Sequence, residues 1–270
     1  MGWRRYERSE ERSPSDEDCI RKEWNDAVES WVDFVRTGKD HYREGLNNPA
    51  AFELIGDVTG LTVLDLACGE GYNTRILARR GAKVTGIDSS EKMIEFAKQE
   101  EEREKLGIRY EVMNAADLRE FSSHQFDLVT CFMSLQDVMD FEKAILEVAR
   151  VLKYRGRFVF SMPHPCTEMI RLHKPEGEKV RAIERYFRTM QYTIEWKMER
   201  LKKPFRTTSF HRTLTEYFDA LYKGRLVVAR LVEPRPTHEA LQKHPGLQDV
   251  LEMPQSVVIE SMKIRDVSQY

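Results

Sequence analysis

Apolar residues recur along one face of the first ordered segment: Ile20, Trp24, Val28, Trp31 and Val35 are spaced four, four, three and four apart. That is the helical period, so an amphipathic helix is predicted there. Ser15 is placed to cap it, Asp16, Glu17 and Asp18 suit the positive end of its dipole, and Gly38 ends it. A short segment, His41 to Leu46, follows. Pro49 then opens a second helix through Leu54 and Ile55, which Gly56 closes.

From residue 61 the period changes. Short apolar runs at Thr62–Cys68, Lys83–Asp88, Arg109–Asn114, Phe126–Phe132 and Arg157–Met162 read as strands. Between them, Tyr72–Arg80, Ser90–Lys105 and Phe141–Lys153 read as helices. Strands apolar on both faces that alternate with helices predict a parallel sheet covered on both sides, doubly wound by right-handed crossovers. The alternation breaks after Met162, where Pro163, Pro165, Pro175 and Pro204 interrupt an aromatic-rich stretch. It resumes with a helix, Leu214–Tyr222, a strand, Arg225–Val232, a Pro-rich turn and a final strand, Ser256–Ile264. The expected organisation is a charged, disordered tail (1–18), an N-terminal helical lid (19–60), an α/β core (61–162), an inserted cap (163–212) and the return of the core (213–270).

Charge and composition narrow the function. With 43 Lys+Arg against 45 Asp+Glu in 270 residues, the net charge is −2, unlike a chain that coats nucleic acid. A composition 41% hydrophobic and 33% charged fits a soluble globular protein. No apolar run approaches the roughly 18 residues of a membrane span. The Met1–Arg8 start has neither a secretory pattern nor, with Tyr6 at the critical position, a myristoylation site. Cys19, Cys68, Cys131 and Cys166 form no paired motif and read as free thiols in a reducing cytoplasm. Between Arg171 and Arg212, however, twelve Lys/Arg face five Glu. This excess leaves two partners open, an anionic small molecule and RNA; against RNA, no recognised module is present.

In an open α/β sheet the ligand lies beyond the carboxyl ends of the strands. Asp65, Asp88 and Asp117 fall there. A carboxylate ending the second strand, some twenty residues after a glycine loop, suits a ribose diol, and glycines allow close backbone approach. Both NAD and S-adenosylmethionine fit that outline. A dinucleotide loop would have a third glycine where Thr74 stands, and Asp65 is an added acid.

The pattern Asp65-x-x-x-Gly69-x-Gly71 resembles motif I of the class I S-adenosylmethionine-dependent methyltransferases. Gly86–Met93 resembles that superfamily's ribose-binding turn, Ala116-Asp117-Leu118 its adenine-binding turn and Phe126–Val129 its motif IV. The likeness covers residues 40–162 in register and is greatest to the broad type 11 group. It implies a seven-stranded Rossmann-like sheet, with Ser256–Ile264 in the closing antiparallel hairpin.

It also implies roles. Ala67 and Gly69 would offer backbone to the methionine amino group, with Gly71 completing the loop and Asp65 nearby. Asp88, next to Ser89, would hold the ribose hydroxyls. Met93 would pack on adenine, with core packing as its alternative. Asp117 would accept from the adenine amino group, and the Ala116–Leu118 backbone would meet the ring; a turn-forming role is the alternative for Asp117. Cys131, Phe132 and Met133 would border the transferred methyl. Tyr42 would cover the sulfonium and Arg43 pair with the methionine carboxylate. Where many relatives carry a histidine pair after motif IV, this chain has Gln136-Asp137. Trp24 and Trp31 read as helix-packing residues.

His164 and His211 are candidate general bases, since imidazole titrates near neutral pH; a hydrogen-bonded structural role is the alternative for both. The resulting expectation is a metal-free methyltransferase that uses S-adenosylmethionine, releases S-adenosylhomocysteine and acts on an O, N or C atom of a small molecule. An RNA or protein methyltransferase and a non-catalytic S-adenosylmethionine-binding protein are the alternatives.

Overall fold

The computed structural model describes residues 16–168, 170–173, 180–183, 185–197 and 201–265, so the expected tail lies almost wholly outside the described residues. The chain opens with α1 (Glu17–Arg36), a π-helical turn (Arg43–Asn47) and α2 (Asn48–Ile55). Asp16, not Ser15, caps α1, its carboxylate accepting from Cys19 N at 2.7 Å. Ser15 lies outside the described residues.

The core alternates β1 (Thr62–Leu66), α3 (Tyr72–Arg79), β2 (Lys83–Asp88), α4 (Glu91–Glu104), β3 (Arg109–Val112), β4 (Phe126–Phe132), α5 (Phe141–Val151) and β5 (Leu152–Pro163). A short α6 (Pro165–Glu168) follows, then the ribbons β6 (Ile170–His173) with β7 (Val180–Ile183) and β8 (Met190–Trp196) with β9 (Phe205–His211). α7 (Leu214–Lys223), β10 (Leu226–Val232), α8 (His238–Lys243) and β11 (Ser256–Lys263) complete the chain.

The seven-stranded sheet has the order β10-β11-β5-β4-β1-β2-β3. β1 to β5 pair in parallel, whereas β11 runs antiparallel to both β5 and β10. This is the doubly wound, Rossmann-like sheet expected from the sequence.

Successive residues feed opposite faces, as the two-residue period requires. Leu64, Val129, Phe158 and Ile259 pack with α5 and α7 on one face. Their neighbours Val63, Leu128, Val159 and Val258 pack with α2, α3 and α4 on the other. Each such fully buried apolar side chain contributes about 1.5–3 kcal/mol relative to exposure.

Three local expectations change. β5 begins at Leu152, directly off α5, because Leu152 pairs with Phe126 across a register shift. The cap holds two antiparallel ribbons, which proline and aromatic content did not reveal. The Pro-rich turn after β10 contains α8 and a 3-10 turn, Pro245–Val250, whose Leu247 and Val250 bury against Leu46 and Tyr42.

Candidate active site

The carboxyl ends of β1, β2 and β4 open onto a cavity of about 230 Å³ roofed by α1 and β8. Its floor starts from the turn after β1. Ala67 and Gly69 take positive φ of 53° and 57° there, and Gly71 follows at 82°. Gly71 is required twice over: a Cβ at that position would stand 2.3 Å from the Tyr110 hydroxyl oxygen. Met133, where β4 ends, also has φ 53°. Left-handed backbone at non-glycine residues costs of order 1 kcal/mol, and both Ala67 and Met133 line the cavity.

Asp65 is 1% exposed. Its two oxygens accept from Thr74 Oγ1 at 2.6 Å and Thr130 Oγ1 at 2.8 Å, which ties the start of α3 to β4. Burial pushes its carboxyl up to about 6, against the lowering effect of those hydroxyls. Asp88 accepts from Gly69 N and from Ser90 N, both at 2.9 Å. Burial raises its carboxyl above the usual carboxylate range, partly offset by the two amides. Met93, 1% exposed in α4, lines the cavity beside it with Ser89.

The roof is aromatic. Trp31 stands edge-on to Trp24 at 5.6 Å and to Trp196 at 5.4 Å between ring centroids. Trp196 in turn stacks on Phe205 at 5.5 Å and donates Nε1–H to Thr207 Oγ1 at 2.9 Å. Such pairs contribute about 0.5–1.5 kcal/mol beyond their burial. The Arg43 guanidinium lies 5.4 Å from the Trp31 ring and 5.3 Å from Tyr72, with Asp40 3.4 Å from its Nε.

Of the expected residues, Tyr42, Arg43, Asp65, Ala67, Gly69, Asp88, Ser89, Met93, Phe132 and Met133 line this cavity. Others are not brought to it. Gly71 sits over Tyr110. Cys131 is fully buried in the sheet core. Asp117 faces outward and pairs with Arg119, which holds its carboxyl below the usual range. Ala116 and Leu118 are core residues. The amides of this turn are already engaged: Ala116 N donates to Asn114 Oδ1 at 2.8 Å, Asp117 N to Asn114 O at 3.0 Å and Leu118 N to Glu147 Oε2 at 2.8 Å. Met113, Asn114 and Ala115 line that edge instead.

Neither histidine reaches the cavity. The His164 ring is buried, with Nδ1 accepting from Cys166 N at 3.2 Å and Nε2 3.2 Å from Glu233. His211 is fully buried, its Nε2 2.8 Å from Tyr186 O. His164 ties the start of the cap to the turn after β10, and His211 braces the cap internally. Among the described residues, no group of three His, Cys, Asp or Glu side chains could hold a metal ion, and no helix is long and apolar enough to cross a membrane.

The sequence reading missed the roof. Trp24, Trp31 and Trp196 line the cavity, as do Gln136 and Asp137 from the turn after β4. One signal was available: Trp24 and Trp31 are seven apart, on one face of α1. Nothing local tied that face to Trp196.

A methyltransferase-domain family profile matches residues 64–160. An uncharacterized protein of Haemophilus influenzae is 29% identical over 242 residues, covering 85% of this chain and 92% of its own. A ubiquinone biosynthesis O-methyltransferase of Coxiella burnetii is 31% identical over 155 residues, 55% of this chain. That match spans 64% of the Coxiella protein, just under two thirds. Among solved structures, an S-adenosylmethionine dependent methyltransferase from Mesorhizobium loti superposes with a TM-score of 0.67 at 26% identity, over 80% of this chain and 96% of that one.

Proposed function

Because the chain belongs to the class I S-adenosylmethionine-dependent methyltransferase superfamily, we propose that it moves a methyl group from S-adenosylmethionine to an O, N or C atom of a small molecule held under the α1–β8 roof. Asp88 is the observation that carries this reading. A half-buried carboxylate that already accepts two backbone amides and still lines a cavity suits a ligand bringing further donors, and a vicinal diol brings two.

The other lining residues fit the rest of the cofactor. The Arg43 guanidinium, held between Trp31 and Tyr72, offers a fork for the methionine carboxylate. Met93, Met113 and Ala115 supply apolar surface for the adenine, with Ile20 and Trp24 above. Asp65, both oxygens occupied, acts through the loop it braces. When bound, the cofactor supplies a sulfonium methyl whose transfer leaves a neutral thioether. The chain's own contribution is alignment and exclusion of water beneath the tryptophan roof. We assign no general base, since His164 and His211 both lie outside the cavity. Four cysteines free of disulfides fit a reducing compartment such as the cytoplasm.

Calorimetry with S-adenosylmethionine and S-adenosylhomocysteine tests the proposal. Dissociation constants of about 1–10 μM for the intact chain, lost in Asp88→Ala, are expected. Folded protein, free of co-purified ligand, that binds neither compound would overturn it.

A further inference from the structure

The basic cap left an anionic small molecule and RNA open as partners. The structure points the other way. Among the described residues of that segment, Arg185, Arg188, Lys197, Lys202, Lys203 and Arg206 are exposed and none lines the cavity. The described cavity lining contains six carboxylates, Glu17, Asp40, Asp65, Glu70, Asp88 and Asp137, against one cation, Arg43. Arg43 is already matched by Asp40 and stands on the cofactor side. On the acceptor side, formed by the turn after β4, the end of β5 and β8, the charged lining residue is Asp137.

Beside Asp137 is Gln136, 6% exposed and also lining the cavity. Its amide orientation is set by its neighbours. Nε2 donates to Met133 O at 2.7 Å and to Asp137 Oδ2 at 3.3 Å. Flipping the amide would set its oxygen against a carbonyl and a carboxylate, so the network fixes which end is which. The end left over is Oε1, which is buried and has no hydrogen-bond partner among the described residues. An unpaired buried acceptor costs about 1–3 kcal/mol, which a ligand donor can recover.

The turn is not free to rotate the amide away. Arg212 Nη2 donates to Val138 O at 2.7 Å and Met139 O at 2.9 Å from behind, and Ser209 Oγ donates to Asp137. Trp31, Phe34, Ile194 and Trp196 give the same cavity an apolar wall.

We propose that Gln136 and Asp137 recognise the methyl acceptor. The acceptor is an uncharged or cationic molecule with an apolar, ring-sized body that donates an N–H or O–H hydrogen to Gln136 Oε1. Carboxylates and phosphates are excluded, because Gln136 Oε1 and Asp137 present only electron pairs to them. This inference rests on the methyltransferase reading, since it divides the cavity into cofactor and acceptor sides.

The test uses the full chain saturated with S-adenosylhomocysteine and four probes: benzyl alcohol, benzyl methyl ether, benzylamine and benzoate. Binding is read by ligand-observed NMR titration. Benzyl alcohol and benzylamine are expected to bind roughly tenfold tighter than the ether, which lacks a donor, and benzoate is expected not to bind. Gln136→Leu, checked by its retained affinity for S-adenosylhomocysteine, brings the alcohol-to-ether ratio to about 1. Gln136→Met takes its place if the leucine variant does not fold. Asp137→Asn lowers the preference for benzylamine over benzyl alcohol. Benzoate binding as tightly as the alcohol, an unchanged ratio in the Gln136 variant, or no probe binding to the loaded protein would each overturn the inference alone. Failure of S-adenosylhomocysteine itself to bind would instead remove the methyltransferase reading.

Discussion

The cavity floor, from Asp65 to Ser89, comes from one stretch of chain, whereas the roof joins Trp24 and Trp31 of α1 to Trp196 of β8. The floor is built where neighbouring strand ends meet. Gly69 N and Ser90 N fix Asp88, and Thr74 and Thr130 fix Asp65, at sites that the ends of adjacent parallel strands bring together. The roof is built by elements far apart in the chain. Glu23 accepts from Thr208 N at 2.7 Å, and Ser30 Oγ from Lys203 N at 3.1 Å, so α1 and the cap ribbon hold each other over the sheet. A floor of this kind suits the constant part of a reaction, its cofactor. A roof of adaptable side chains suits the part that differs between relatives, the acceptor.

The sharpest test of that division compares one substitution on each side. Asp88→Ala should weaken S-adenosylhomocysteine binding about 100-fold, since hydrogen bonds to a charged group are worth about 1.5–3 kcal/mol each. Trp196→Ala should weaken it less than about threefold, having no polar partner in common with Asp88. Calorimetry on both variants decides, and equal losses would erase the distinction between floor and roof.

Asp65 gives the next largest effect, on stability. Its folded carboxyl lies near 6 against an ordinary 3.8. Below about pH 4 both folded and unfolded chains hold the proton. As pH rises toward 6 the unfolded chain releases it first, so this group's contribution falls, and above that it is constant. Asp65→Asn lacks the term. Its stability relative to the parent should therefore rise by about 1–3 kcal/mol between about pH 4 and 7, read from urea melts at several pH values. Asp88 shifts in the same direction but is common to both proteins.

Asn25 joins the two regions from α1. Its Oδ1 accepts from Ser90 Oγ at 2.6 Å and Lys92 N at 3.2 Å, and its Nδ2 donates to Glu91 at 2.8 Å. Asn25→Ala should cost about 1–2 kcal/mol in thermal denaturation while leaving the sheet intact by far-ultraviolet circular dichroism. The smallest effect is expected from Asp117→Ala. A surface pair with Arg119 outside the cavity predicts less than about twofold change in cofactor affinity. A tenfold loss would return Asp117 to the adenine edge.

The floor was legible because its signals are short. Asp65, Gly69 and Gly71 lie within seven residues at the end of β1, and Asp88 ends the next strand. Tyr110 explains why that spacing is strict: its ring fills the space that a Cβ at Gly71 or Gly86 would take. Asp117 is not brought to the cavity, because a motif names residues without saying which way the turn faces. Here the turn spends its amides on Asn114 and Glu147 and turns Asp117 outward to Arg119. The histidines likewise stand away from the cavity. Their ring chemistry suits a base, but their neighbours, Glu233 and Tyr186 O, make them braces. The helix after β10 was read as a turn because its reason to form is Leu46, some two hundred residues earlier in the chain.

The sequence by itself determined the alternation of strands and helices, the doubly wound sheet and the positions of Asp65 and Asp88. Those features follow from hydrophobic period and backbone conformation, which act over a few residues. The tertiary structure alone decided the tryptophan roof, the exposure of Arg185, Arg188, Lys197, Lys202, Lys203 and Arg206 in the cap, and the unpaired oxygen of Gln136. Each depends on which distant surfaces meet, and on where a fixed set of hydrogen bonds leaves one group over, and no local pattern encodes either.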